Sequence, residues 1–205
     1  MEPPTVPTLL PSLQLLPPSA SHTFLPPAKQ INSGPDVEHF LTSKAYRDIC
    51  TFVLQLNRSL CPRKDATKGT QIFSLSTPRN DPEIVKSLQS LLAKVEGIIS
   101  EAPPDPGPRR FGNISFRRWH EILEGRVEGL LKEYLPEKVL EGGALVELKA
   151  YFVGGFGSSQ RMDYGTGHEL SFVAFLGCLW KLGGFQGSDV DGEVERSVVL
   201  GVIEP

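Results

Sequence analysis

Apolar positions recur at helical spacing along most of this chain. After Ser43, whose hydroxyl is placed to cap a first turn, Tyr46, Ile49, Cys50, Val53, Leu54 and Leu56 fall at i, i+3, i+4 intervals, and the pattern stops near Leu60, before Pro62. A second helix is predicted to open at Asp81-Pro82, with Asp as the cap and Pro at the first helical position. It runs through Ile84, Val85, Leu88, Leu91, Leu92, Val95 and Ile98-Ile99. From Ser115, the positions Phe116, Trp119, Ile122, Leu123, Val127, Leu130, Leu131 and Tyr134 mark a long amphipathic helix. Pro136 opens another that reads unbroken through Val139, Leu140, Leu145, Val146, Leu148, Tyr151 and Phe152 to Gly154-Gly155. Residues 170–182 differ in kind, being apolar on nearly every side, so they belong inside a bundle. They are too short to span a bilayer, which needs about 20 apolar residues. Residues 37–41 suggest a short helical turn, and residues 194–203 begin a last helix. Residues 63–79 are polar and read as a loop, and no window alternates with a period of two, so the fold class is all-α.

The stretch 157–169 organises the rest, because it is a polar, glycine-broken turn that feeds directly into the apolar helix. Thr166 and Glu169 have the spacing of a capping box. Capping does not account for Arg161, Asp163, Tyr164 and His168 crowding beside Gly165 and Gly167. Such a cluster gathers carboxylates, a cation and the free N–H groups of a helix start. The turn is neither a Walker loop, since no Gly-Lys-Ser/Thr closes it, nor a dinucleotide fingerprint, since the spacing is absent and no strand precedes it. Its glycines read as helix terminators, or as places where a phosphate approaches a helix N-terminus. Asp163 and Glu169 could converge on one hard cation, as Mg²⁺ takes one or two carboxylates together with phosphate oxygens. Spacing equally allows Glu169 to cap the helix and Asp163 to pair with Arg161. His168 is a candidate acid or base. No Ser or Cys nucleophile is paired with it, so a triad has no support. Arg109-Arg110 reads either as an anion contact or as a solvated face.

Composition narrows the class. With 205 residues, 40% of them hydrophobic, the chain can hold one domain with a sizeable core. A net charge of −3 gives no electrostatic footprint for nucleic acid. Cys50, Cys61 and Cys178 are odd in number and lack metal-site spacing, which points to free thiols in a reducing compartment. No secretory signal and no membrane span are expected, and the setting is cytoplasmic, with the nucleus also open. Residues 1–30 read as a disordered proline-rich tail, eight prolines lying within 1–27, and residues 31–205 as the helical domain.

The turn also carries a family resemblance. Arg161-Met162-Asp163-Tyr164-Gly165-Thr166-Gly167-His168-Glu169 closely resembles the R-[IL]-D-Y-G-[ST]-G-H-E signature of the activators of protein phosphatase type 2A, also called phosphotyrosyl phosphatase activators. Ser43-Lys44-Ala45-Tyr46 and 52–57 look like that family's first core helix. Arg110-Phe111-Gly112-Asn113 with Phe116, Arg117 and Trp119 looks like its R-F-G-N segment. The likeness covers roughly 27–205. It implies an all-α fold of core, lid and linker that binds the phosphatase catalytic subunit with Mg-ATP and helps to load its metals. It also implies peptidyl-prolyl cis/trans isomerase activity on a proline-containing peptide.

By motif position the resemblance makes Asp163 and Glu169 the metal-side carboxylates, with Arg110, Arg161, Gly165 and Gly167 on the nucleotide side. An isomerase needs no nucleophile, because lowering the barrier of about 18–20 kcal/mol requires only twisting the amide. The family continues well past Pro205, through a segment that supplies much of its groove and lid, and residues 187–193 look atypical for it. The chain therefore reads as a truncated, fungal-type member whose core helix should expose a large apolar face. A non-catalytic phosphatase-binding module is the alternative.

Overall fold

The structure, a computed structural model, describes residues 11–17, 22–65, 69–76, 78–107, 112–185 and 192–204. Within these residues it contains eight α-helices and one two-stranded hairpin, which bears out the all-α class.

Local chemistry sets most helix starts. The first helix, α1 (Gly34–Leu41), begins where the Asp36 carboxylate accepts from the N–H groups of Asn32 and Ser33 and from the Ser33 hydroxyl. These hydrogen bonds hold the Asp36 carboxyl below its usual range. In α2 (Lys44–Leu60) the Ser43 hydroxyl accepts from the Tyr46 N–H at 3.1 Å, the cap that the spacing predicts. The polar loop that follows holds β1 (Arg63–Asp65) and β2 (Gly69–Gln71), antiparallel with Lys64 opposite Thr70. Each strand is three residues long, too short to show alternation.

The helix α3 (Glu83–Gly97) opens one residue later than its Asp-Pro pattern suggests. Pro82 is the cap, its carbonyl accepting from Val85 and Lys86, while Asp81 accepts from the side chains of Arg79 and Gln89 instead. The long helix α4 (Ser115–Tyr134) turns His120, Leu123, Val127 and Leu131 inward. The helix expected to run unbroken from Pro136 is two, α5 (Glu137–Leu140) and α6 (Leu145–Gly154). Gly142 and Gly143 adopt φ of +66° and +89°, a left-handed turn that breaks the ladder. The apolar pattern resumes beyond the break, which is why spacing alone misses it.

The apolar helix is α7 (Thr166–Lys181). Gly183, at φ +73°, donates to the Trp180 carbonyl at 2.9 Å, and Gly184 donates to that of Leu179 at 2.8 Å. This pair of bonds is a Schellman stop. The last helix, α8 (Glu193–Val198), widens into a π turn, Val199–Ile203.

α7 lies at the centre, packed on α6 and α2, with α4 behind α6, α3 against α4, and α8 on α2. Leu131, Leu148, Phe152, Phe175, Leu176 and Leu179 are fully buried. Phe152 lies 4.9 Å from Phe175 and 5.2 Å from Phe156, centroid to centroid. The large bare apolar face expected of α7 is absent among the described residues. Leu170, at its N-terminal end, is the one large hydrophobic of that helix on the exposed side.

The reading of 1–30 as unpacked tail also needs correction. Residues 11–17 are extended, as proline dictates, yet they dock. Leu13 is 5% exposed, its N–H donating to Gln55 Oε1 at 2.8 Å and its carbonyl accepting from Trp180 Nε1 at 3.1 Å. Leu16 N–H donates to the Lys181 carbonyl at 2.8 Å. Farther on, Phe24 packs against the core and Leu25 N–H donates to Glu147. Composition counts prolines and charges, and it cannot reveal that a single leucine has a pocket. Residues 1–10 and 18–21 lie outside the described residues.

Candidate functional site

Backbone geometry shapes the turn between α6 and α7. Gly157 has φ +111°, and a Cβ there would stand 2.9 Å from the Asp163 carbonyl oxygen and 3.3 Å from the Phe116 ring, so glycine is required. Ser158 and Asp163 form an isolated antiparallel bridge, the Ser158 N–H donating to the Asp163 carbonyl at 3.0 Å. Met162 closes the loop onto the Ser158 carbonyl at 2.6 Å and is itself left-handed, at φ +53°.

The Gly112 end of the R-F-G-N segment meets this loop directly. Gly112, at φ +87°, leaves so little room that a Cβ would lie 3.0 Å from the Met162 carbonyl oxygen. Asn113 Oδ1 accepts from Asp105 N–H and Ser115 N–H, and its Nδ2 donates to the Asp105 carbonyl, which ties the proline-rich break to the start of α4. Arg117 Nε donates to the Ser159 carbonyl at 3.3 Å. Behind the turn, Phe116 stacks on Trp119, and Trp119 meets Phe156 edge-on. Two motifs about 50 residues apart in sequence thus form one unit.

On that frame sit the charges. Arg161 Nε donates to Asp163 Oδ2 at 2.8 Å, and Asp163 Oδ1 lies 3.8 Å from His168 Nε2. The Arg161 hydrogen bond, ahead of the positive charge beside it, holds the Asp163 carboxyl below its usual range. His168 Nδ1 is 2.7 Å from the Gly154 carbonyl. A carbonyl only accepts, so Nδ1 carries the proton and Nε2 is the nitrogen that faces Asp163. Tyr164 stacks on the His168 ring at 5.7 Å.

The capping box at Thr166 does not form. Gly165 is the cap, extended, and its carbonyl accepts from the N–H groups of His168 and Glu169, so Thr166 is already the first helical residue. Glu169 is exposed, and among the described residues its carboxylate has no hydrogen-bond or ion-pair partner. A Cβ on Gly165 or Gly167 would meet nothing within 4 Å, so the start of α7 is open.

Of the six residues singled out for the site, Arg161, Asp163, Gly165, Gly167 and Glu169 share this turn and the first turn of α7. Arg110 lies outside the described residues. Among those described, no group of three His, Cys, Asp or Glu is arranged to hold a metal by itself. Two exposed carboxylates, one shared with Arg161, fit a cation that brings its own phosphate oxygens rather than a protein cage. Gly157 and Ser158 open the organising stretch and Arg117 lies in the R-F-G-N likeness, but sequence reasoning gave none of the three a part in the site. Gly157 sits four residues ahead of the signature and could have been flagged by its type. Ser158, whose hydroxyl accepts from the Arg161 N–H at 3.2 Å, gave no signal.

Comparison with known proteins places these features in a family. The family model described as phosphotyrosyl phosphate activator (PTPA) protein matches residues 27–205. The chain is 43% identical to serine/threonine-protein phosphatase 2A activator 1 of Neurospora crassa, over 96% of this chain and 50% of that protein. It is 52% identical to the protein of the same name from Aspergillus fumigatus, over 94% of this chain and 43% of that one. The chain thus spans about half the length of these curated relatives. The crystal structure of the PP2A phosphatase activator Ypa1 PTPA1 is similar at a TM-score of 0.69 and 31% identity, over 92% of this chain and 61% of that one. With signature turn and surrounding helices inside the matched span, the chain belongs to the phosphotyrosyl phosphate activator family.

Proposed function

We propose that this chain binds the catalytic subunit of protein phosphatase 2A and activates it with Mg-ATP, acting as a peptidyl-prolyl cis/trans isomerase. The observation that carries the reading is the turn 157–169. Its backbone is fixed by Gly157, Gly112 and Met162, while Arg161, Asp163 and Glu169 stay on the exposed side, where packing does not occupy them. The names of the Neurospora and Aspergillus relatives supply the phosphatase partner.

In this reading Asp163 and Glu169 would hold the metal, Arg161 a phosphate group, and the N–H groups at the open α7 start a further oxygen. Arg110, by motif position, would join them. Bound Mg-ATP would bring a divalent cation to the carboxylates and phosphate oxygens to the cationic and N–H groups. The chain's own groups do the rest. His168, held by the Gly154 carbonyl, lies against Asp163, and both Asp163 and Glu169 are exposed. Turning a prolyl bond needs no nucleophile, only surroundings that favour the twisted amide over the planar one.

A pull-down of the phosphatase catalytic subunit with and without Mg-ATP tests the assignment. Asp163→Ala and Glu169→Ala should each abolish the nucleotide-dependent part of binding. Unchanged capture by both variants removes the metal role. A second reading is a helical module that binds the phosphatase without turnover. Measurable isomerisation of a proline peptide would eliminate it.

A further inference from the structure

The groove between α2 and α7 already holds a peptide, the chain's own residues 11–17. Its contacts have the character of recognition rather than of core packing. Gln55 and Trp180 address the N–H and the carbonyl of one residue, Leu13, and leave its side chain to an apolar pocket. The Gln55 amide is oriented in turn, its Nε2 donating to the buried Glu195 at 2.9 Å, so Oε1 must face the incoming strand. Such a clamp reads any extended backbone that brings a leucine-sized group to that point.

The fit of the tethered segment is incomplete. A cavity of about 310 Å³ lies beside it, lined by Leu13 and Leu16 of the segment and by Ile49, Phe52, Val173 and Cys178 of the helices. Gln14 and Leu15 are exposed, Leu15 at 58%, so Leu13 is the segment's one deeply buried side chain. Pro11 and Pro17 flank it without N–H donors, which keeps it extended and adds no hydrogen bond.

We propose that this groove is a docking site for an extended segment of a partner protein bearing leucines three residues apart between prolines. Residues 11–17 are its tethered occupant, released to admit that segment. The site lies at the C-terminal half of α7, away from the turn 157–169, and it stands without the phosphatase reading.

The test uses the full chain. A fluorescein-labelled Pro-Ser-Leu-Gln-Leu-Leu-Pro peptide is titrated by fluorescence polarisation against the wild type and Leu13→Asp, a substitution that expels the tethered leucine. Expected is at least ten-fold tighter binding to L13D, lost when the peptide's own first leucine is replaced by aspartate. A folded L13D that does not bind, or that binds no better than the wild type, overturns the proposal. Where L13D fails to fold, the wild type decides alone. Excess peptide should speed hydrogen exchange at the Leu13 and Leu16 amides, and unchanged exchange overturns the proposal. A concentration-dependent dimer in sedimentation, abolished in L13D, would assign the groove to a second copy of this chain and overturn it as well.

Discussion

The two ends of α7 are held in opposite ways. At its C-terminal end, Phe175, Leu176, Leu179 and Trp180 are buried, the helix stops on a Schellman pair, and residues 11–17 lie across it. At its N-terminal end the shape comes from left-handed backbone and carbonyl contacts, and Arg161, Asp163, Tyr164 and Glu169 face outward. One end spends its side chains on stability. The other fixes its backbone and keeps its side chains for something else, the arrangement expected where a loop binds. Substitutions at the two ends should therefore separate stability from partner binding.

The largest effect belongs to the buried end. Phe175→Ala removes a fully buried ring from the cluster with Phe152 and Phe172, and should cost about 3–5 kcal/mol. Melting temperature would fall by roughly 10 °C in a chain of this size. Next comes Gln55→Leu, which orphans the Leu13 N–H and strips Glu195 of its amide partner, whose other carboxylate oxygen already lacks one. A loss of about 2–3 kcal/mol is expected by denaturant titration.

Gly157→Ala crosses between the two ends. It forces a side chain into a left-handed position against the Asp163 carbonyl, at a cost of about 1–3 kcal/mol. Phosphatase capture should drop by more than the melt predicts. Asp163→Asn should leave the melt unchanged, because exposed ion pairs contribute little, and yet remove Mg-ATP-dependent capture. Equal losses of stability from Asp163→Asn and Phe175→Ala would end the comparison.

Two titrations sharpen the same contrast with the smallest effects. Arg161 lowers the Asp163 carboxyl below its ordinary 3.8, so the fold prefers the ionised form. That small stabilisation is complete above the ordinary value and fades as pH falls through the lowered one. Arg161→Ala should bring the carboxyl back up in an NMR titration. At the other end, burial pushes the Cys178 thiol up to about 11, so the fold prefers the neutral thiol, a contribution complete below the ordinary 9.0 and lost as pH rises from there to about 11. Iodoacetamide at pH 8 should label the exposed Cys61 well before Cys178.

What the sequence made legible follows the same division. Helical spacing located α2, α3, α4 and α7, and Ser43 capped where its chemistry required. The family likeness rested on the turn, and the turn's Arg161–Asp163 pair is one of the two outcomes that spacing had left open. The misses were of three physical kinds. Gly142-Gly143 break a helix without disturbing apolar phase. The Thr166 box was lost to a neighbouring glycine that could begin the helix one residue sooner. The docking of Leu13 depends on Gln55 and Trp180, 42 and 167 positions away, and no local pattern reports contacts at that range.

That last contact sets an order of events during synthesis. Leu13 leaves the ribosome early, whereas its partners Trp180 and Lys181, and the Glu195 that orients Gln55, are made near the end of these residues. At about 5–20 residues per second, the segment waits roughly 10–30 s before its clamp exists. A leucine-rich stretch left waiting that long is a natural client for chaperones, and its docking reports that α2, α7 and α8 have all come together.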